Sequence, residues 1–407
     1  ALYGTTYDQN AGTVFRIDSA GAFSSLHSFN GQEGASPLAL TLGIDGALYG
    51  TTIGNKLGTV FRIDNAGAFT LLHSFDGGDG YRPSSALAPG SDGALYGTTE
   101  FGGASDAGTA FRIDRAGTFT SLGSSQVGSG ASSALVLGGD GALYGLTPGG
   151  FDFFCGEFRL CRGTLSIFKI DSAGNVISLL TLYDADAGQP PSLSSNGHCV
   201  TESLTPCRTP DALVLGSDGA LYGTTPEGGP SNAGTVFRTD KAGSFTSLHS
   251  FSGPDGKGPA AELVVGTDGA LYGTTNWGGS SNAGTVFRID SAGAFTSLHS
   301  FSVSFFPVVK SSLPPLVMGG DGALHGTTSL GTTDSATVFK IDSAGNVSTL
   351  HTFSSAKGAY PSTLVLGSDG ALYGTTVFGG SSNAGRHCPL HAPRNGCVAA
   401  VSDARSR

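Results

Sequence analysis

Short apolar runs alternate with turn-forming residues along this chain, and the alternation returns on a steady beat. In one stretch, Ala212-Leu-Val-Leu-Gly is a continuous apolar run that reads as a strand buried on both faces. Asp218-Gly follows, between two β runs. It predicts a two-residue type I′ hairpin, whose central residues both take positive φ. Ala220-Leu-Tyr-Gly-Thr-Thr is the return strand, and Thr235-Val-Phe-Arg-Thr-Asp is a third, rich in β-branched and aromatic residues. Lys241-Ala-Gly turns the chain into Ser244-Phe-Thr-Ser-Leu-His-Ser-Phe, the fourth. The pattern predicts a four-stranded antiparallel meander, with strands A to D in chain order.

The meander is a repeat. The core Ala-Leu-Tyr-Gly, or a close copy, begins at Ala1, Ala47, Ala94, Ala142, Ala220, Ala270, Ala323 and Ala371. Successive copies lie 46, 47, 48, 78, 50, 53 and 48 residues apart. Units of this size cannot bury a core alone and must stack on neighbours. The fold class expected is all-β, a seven-bladed β-propeller of four-stranded antiparallel blades, closed across the termini. Strand A occurs near Leu38, Leu87, Leu135, Leu213, Leu263, Leu316 and Leu364, and the last copy is expected to complete the first blade. The strand at 371–376 is then surplus, competing with 1–6. An eight-bladed ring and an open solenoid are the alternatives. Residues 1–385 form one domain on this reading.

Composition narrows the partners. Of the 407 residues, 13% are charged and the net charge is −10, which disfavours nucleic acid. No run of 18 apolar residues exists, so no membrane span is expected, and no N-terminal signal is visible. The 66 glycines sit at fixed places in each unit rather than in low-complexity tracts. No cofactor is expected. A calcium site is disfavoured, because each Asp-Gly turn offers one carboxylate where calcium takes six to eight oxygens.

Some polar residues recur. Arg and Asp stand two apart in strand C, as in Arg16/Asp18, Arg62/Asp64, Arg112/Asp114, Arg238/Asp240 and Arg288/Asp290. That spacing puts them on one face, either as a ring of charge for a ligand or as structural ion pairs and turn caps. His27, His73, His249, His299 and His351 recur in strand D and are expected to pack structurally. His325 replaces the Tyr of the motif, as a neutral change or as a base near the axis.

Unit four, residues 142–219, departs from the pattern with two insertions. One carries Phe151, Asp152, Phe153, Phe154, Glu157, Phe158 and Arg159. The other spans 184–210. In a meander the B–C and D–A connections leave by the same end, so both insertions share a face. Cys155 with Cys161, and Cys199 with Cys207, are expected as local disulfides, about 2 kcal/mol each, which implies an oxidising compartment. Cross-pairing between the loops and a metal site are the alternatives, the latter disfavoured by spacing. Phe101, Trp277 and Phe378 hold the matching B–C positions elsewhere, each just before Gly-Gly. Aromatics on loops of a rigid frame either form a binding face for sugars or peptides, or cover the ends of the core.

At Asn383-Ala-Gly-Arg-His-Cys the repeat breaks, and 386–407 is expected to be a frameshifted reading of the next unit.

The unit as it stands at Thr267–Phe301 resembles the bacterial GloVer tandem repeat, and the resemblance covers about residues 1–385. It implies an exported, extracellular or cell-surface protein with a C-terminal anchor, none of which is visible here, and it implies no activity. Two functions compete. The first is a non-enzymatic binding or scaffold propeller, monomeric, with a glycan or protein partner at the cell surface. The second is a lyase or glycoside-processing enzyme, loosely similar to the streptogramin lyase type, with Asp152, Glu157, Asp184 and Asp186 as candidate acids.

Overall fold

The computed structural model of the chain describes all residues except 9–10, 19, 55–56, 84–85, 124–133, 149–163, 184–212, 260–261, 303–314, 329–335, 343–344, 354–358, 368, 379–396 and 402–407. The described residues form β-strands joined by turns, in two compact units. The first unit holds the described residues through Tyr183 with Leu213, and the second those from Val214 on.

The first unit contains four antiparallel sheets. The first sheet is β1 (Leu2–Asp8), β2 (Ala11–Ile17) and β3 (Phe23–Ser28). The second is β4 (Ala35–Leu42), β5 (Leu48–Gly54), β6 (Thr59–Ile63) and β7 (Phe69–Ser74). In the third, β8 (Tyr81–Pro83) and β9 (Ala88–Pro89) share the edge of β10 (Leu95–Phe101), followed by β11 (Ala110–Ile113) and β12 (Phe119–Gly123). The fourth is β13 (Val136–Leu137), β14 (Leu143–Pro148), β15 (Thr164–Ile170) and β16 (Val176–Tyr183).

The second unit repeats the plan. Its first sheet is β17 (Val214–Leu215), β18 (Leu221–Thr225), β19 (Thr235–Thr239) and β20 (Phe245–Ser250). Next come β21 (Lys257–Pro259) and β22 (Val264–Val265) on β23 (Leu271–Trp277), with β24 (Thr285–Ile289) and β25 (Phe295–Ser300). Then follow β26 (Val317–Met318), β27 (Leu324–Thr328), β28 (Thr337–Ile341) and β29 (Val347–Thr352). The last sheet is β30 (Ala359–Leu366), β31 (Leu372–Phe378) and β32 (Cys397–Val401).

The meander order A-B-C-D is therefore as the pattern predicts, but two details differ. The repeat pattern places the strand about Leu364 in the first sheet, whereas in the structure β30 pairs with its own neighbour β31, Leu366 opposite Leu372. Joining strands a few residues apart costs much less loop-closure entropy than joining opposite ends of the chain. The Asp-Gly hairpins are also not type I′. Gly46 donates to the Gly43 carbonyl at 2.9 Å and Gly43 to the Ala47 carbonyl at 2.8 Å, and of the intervening residues only Gly46 has positive φ. This is a three-residue loop with one left-handed glycine. It frees the Asp45 carboxylate to accept the Ala47 amide.

Within each unit the cores lie between successive sheets. Val14 and Phe29 of the first sheet pack with Leu48, Phe61 and Ile63 of the second. Phe75 of the second packs with Leu95, Phe111 and Ile113 of the third. In the second unit Val236 and Phe251 meet Leu271, Phe287 and Ile289. Burying one such Phe is worth about 1.5–3 kcal/mol, so a sheet owes its stability to its neighbour.

The recurrent polar residues fasten the same seams. His27, His73 and His249 stack on Phe69, Phe119 and Phe295 of the following sheet at 3.8, 3.6 and 3.7 Å between ring centroids. Their Nε2 atoms meet Glu33, Asp79 and Asp255 at 3.1, 2.6 and 2.9 Å. The histidines are structural, as expected. Nearby, Thr59, Thr109 and Thr285 donate their hydroxyls to the backbone carbonyls of Glu33, Asp79 and Asp255.

Candidate functional site

Each sheet has two ends of different chemistry. At the A–B and C–D hairpin end, the strand-C Asp caps its own turn. Asp64 Oδ1 accepts the amides of Ala66 and Ala68 at 2.9 and 2.8 Å, and Asp18, Asp114, Asp240 and Asp290 do the same. The strand-C Arg reaches past it to the Asp of the A–B hairpin. Arg62 meets Asp45, Arg112 meets Asp92, Arg238 meets Asp218 and Arg288 meets Asp268, at 2.8–2.9 Å. Tyr49, Tyr96, Tyr222 and Tyr272 donate their hydroxyls to the same carboxylates. Partial burial pushes these carboxyls up, but the hydrogen bonds from Arg, the hairpin amide and Tyr outweigh it, and each is held below its ordinary value. Burial, foremost, raises the four tyrosines. Every group in these clusters has a structural partner, so the reading of Arg and Asp as ion pairs and turn caps holds, with the partners reassigned. His325 occupies the Tyr position of its hairpin, buried beside Asp321, which pairs with Lys340 at 2.7 Å.

The B–C and D–A end is different. There, Gly102 and Gly103 open the B–C loop against the D–A loop, and Gly103 donates to the Gly77 carbonyl at 2.9 Å. A Cβ on Gly102 would come within 2.6 Å of that carbonyl oxygen, so only glycine permits the approach. The Asp106 carboxylate accepts the Gly102 amide and closes the loop, as Asn232 and Asn282 do in two other units.

Phe101 stands at the rim of this end. Its carbonyl accepts the Thr99 hydroxyl at 2.9 Å, and its ring stacks on Tyr81 at 5.3 Å. Arg82 also lies over this ring, its guanidinium carbon 5.9 Å from the Phe101 centroid and its Nε 3.3 Å from Glu100 Oε2. Arg82 has φ 53, a left-handed conformation that costs a non-glycine residue free energy. Its amide donates to the Leu57 carbonyl at 2.6 Å, which holds it there. Desolvation, first, and the Asp106 carboxylate next raise the Tyr81 hydroxyl.

Trp277 holds the matching place on β23. Its carbonyl accepts the Thr275 hydroxyl at 2.9 Å. Its ring lies over Gly258, where an added Cβ would fall 2.8 Å from the ring, and the side chain is 37% exposed. Thus two sheets present an aromatic ring at one structural position, each with a basic residue near: Arg82 in one, Lys257 opposite Trp277 in the other.

A model of the Gloeobacter/Verrucomicrobia repeat matches residues 1–201 and 198–387. The chain belongs to the Gloeobacter/Verrucomicrobia repeat family. No curated protein matches the sequence. Among solved structures, this repeat protein is similar to a protein from Lactobacillus plantarum, with 17% identity, TM-score 0.51, and 86% of this chain and 96% of that one covered. It is also similar to a catalytically inactive variant of virginiamycin B lyase from Staphylococcus aureus, solved with quinupristin: 16% identity, TM-score 0.50, covering 83% and 90%. At such identities the likeness shows fold alone: all-β, propeller-like.

Of the residues expected to bind, Phe101 and Trp277 take equivalent places on two sheets of the repeat protein, and Phe378 ends β31. Phe151, Asp152, Phe153, Phe154, Glu157, Phe158 and Arg159 lie outside the described residues, as do Cys155, Cys161, Cys199, Cys207, Asp184 and Asp186. Among the described residues no group of three or more His, Cys, Asp or Glu could hold a metal ion, and no helix is long and apolar enough to cross a membrane. Tyr81, Arg82 and Glu100 were missed. The signal for them was the Gly-x-x-Pro that recurs ahead of strand A at 34–37, 80–83 and 256–259, whose third residue (Ser36, Arg82, Gly258) is left-handed in the structure.

Proposed function

We propose that this repeat protein is an exported, non-enzymatic binding protein on a propeller-like frame, whose ligand contacts lie at the B–C and D–A end of its sheets. The observation that carries the reading is Arg82, held in an unfavourable backbone conformation beside Glu100 and over Phe101, with Trp277 offered to solvent at the matching place. A flat ring flanked by a charged hydrogen-bonding group suits the face of a sugar or a peptide side chain. The aromatic insertion of unit four extends the same surface on this reading, and its cysteines form disulfides suited to an oxidising compartment outside the cell. The partner is a glycan or protein at the cell surface, met by a monomer.

The test is a glycan and peptide array probed with wild type, Phe101→Ala and Trp277→Ala. Bound spots should weaken at least tenfold in one or both variants. Ligands held equally by all three proteins refute the aromatic contact. Turnover of a bound glycan or cyclic peptide, followed by mass spectrometry, refutes the non-enzymatic part and favours lyase or glycoside chemistry.

A further inference from the structure

Three sheets share one loop at the B–C and D–A end, and only its middle varies. Gly-x-x-Pro occupies 34–37, 80–83 and 256–259. Its outer residues are locked. A Cβ on Gly80 would fall 2.5 Å from Thr109 Oγ1, and one on Gly256 2.6 Å from Thr275 Cγ2, so threonines of the same sheet close the first position. The proline closes the last one against the preceding sheet. There a Cβ on Gly12 or Gly234 would fall 2.5 Å from Cδ of Pro37 or Pro259. The amides of Arg82 and Gly258 donate to the Leu57 and Ala233 carbonyls at 2.6 and 2.8 Å, which fixes the backbone between.

On that constant backbone the side chains differ in kind. Ala35 stands opposite Gly54, Tyr81 opposite Phe101 and Lys257 opposite Trp277. Residues directly opposed in an antiparallel pair project from the same face, close enough to touch one ligand. The second sheet is blank at this place. The third offers two stacked rings, with Arg82 held by Glu100. The sheet of β23 offers an indole and an ammonium. A loop that keeps its shape under such different pairs displays them rather than packing through them.

The pair on β21 and β23 is the most open. Where Arg82 lies over the ring of Phe101, Gly258 has no side chain, and the Trp277 ring rests against its backbone with 37% of the residue left to solvent. Lys257 is exposed and has no hydrogen-bond or ion-pair partner among the described residues. Asp255, two residues away, is engaged by His249 Nε2 at 2.9 Å and by Ser252.

We propose that Lys257, Gly258 and Trp277 form a subsite for a pyranose that carries a carboxylate, as in a uronic acid polymer. The inference rests on the glycan-binding reading above and narrows it to one sugar chemistry. The electron-rich face of the indole attracts the polarised C–H bonds on one face of the sugar ring. The Lys257 ammonium, on the same face of the sheet, pairs with the carboxylate. The net charge of −10 does not oppose this, because charges farther than about 8 Å are screened at physiological salt.

Trp277 is the one tryptophan of the chain, so tryptophan emission reports this place alone. The experiment titrates oligomers of galacturonate, mannuronate and glucuronate into the full chain, each with free and with methyl-esterified carboxyls. At least one free acid should change the emission saturably, and its ester should bind about 2- to 5-fold more weakly, as for loss of one exposed ion pair. Lys257→Gln should weaken the free acid by the same factor and leave the ester unchanged. No emission change with any uronate, equal affinity for acid and ester, or indifference to Lys257→Gln overturns the proposal. A neutral glycan or a peptide that moves the emission where uronates do not also overturns it, while the wider binding reading stands. An array without a single bound ligand, together with silent emission, overturns both.

Discussion

Replacing Asp140 by Asn tests how the hairpin clusters hold a sheet together. Asp140 Oδ2 receives Lys169 Nζ at 2.9 Å and the Tyr144 hydroxyl at 2.8 Å, and Oδ1 receives the Ala142 amide at 3.3 Å. Partial burial pushes the carboxyl up, but these hydrogen bonds and the Lys169 charge outweigh it and hold it at about 2, against an ordinary 3.8. At about 1.4 kcal/mol per pH unit, that gap corresponds to roughly 2 kcal/mol of neutral-pH stability before screening. The side chain is 24% exposed, and solvent screening reduces the effect to about 1–2 kcal/mol. The folded carboxyl is depressed, so this contribution is complete above the unfolded value and is lost as pH falls through about 2. Urea unfolding of wild type and Asp140→Asn should therefore differ by about 1–2 kcal/mol at pH 7 and converge as the pH approaches 2. Asn keeps an oxygen for the Ala142 amide, so the turn survives and the comparison isolates the charge. A gap of the same size at pH 7 and pH 2 refutes the electrostatic account, as does no gap at pH 7.

Other substitutions separate the remaining forces. Thr109→Val keeps the shape but removes the bond to the Thr99 hydroxyl at 2.9 Å and to the Asp79 carbonyl at 2.8 Å. It should cost about 1–3 kcal/mol in thermal unfolding, and an unchanged melting point would contradict the polar seam. In Gly97→Ala the new methyl would meet Phe111 Cζ at 2.4 Å and Leu87 Cδ2 at 2.8 Å. A loss of about 1–3 kcal/mol or more is expected by denaturant titration, with a smaller loss implying slack packing. Arg82→Gly relieves the left-handed conformation and removes the charge beside Phe101. Stability should hold or rise by up to about 1 kcal/mol while array binding falls; parallel loss of both would make Arg82 purely structural.

The strand order was legible because every unit repeats the same alternation and punctuates it with Asp-Gly or Ala-Gly. The partners of the charged residues were not. Arg62 and Asp64 share a face by period, yet Arg62 pairs with Asp45, seventeen residues back, because the A–B hairpin folds that carboxylate over the end of strand C. Spacing along one strand cannot register a neighbour contributed by another. The histidine partners were nearer to hand: Asp79 and Asp255 lie six residues after His73 and His249, a recurrence visible in the sequence. At the candidate site, Phe101 and Trp277 stood out by type and position. Tyr81 and Arg82 did not, since they fill the two variable positions of a recurrent Gly-x-x-Pro, and residue type alone does not disclose that its third residue is left-handed.

The histidine-to-phenylalanine stack and the threonine-to-carbonyl link take the same form at the three junctions where His27, His73 and His249 meet Phe69, Phe119 and Phe295, while Gly123, Val176 and Val347 replace their residues elsewhere. A shared junction makes the modules that carry it interchangeable. Recombination in the gene can duplicate or excise one whole module and leave its flanking neighbours with a junction they already know how to form. Growth and shrinkage by any other step would sever one, so chain length in this lineage should change in jumps of about fifty residues.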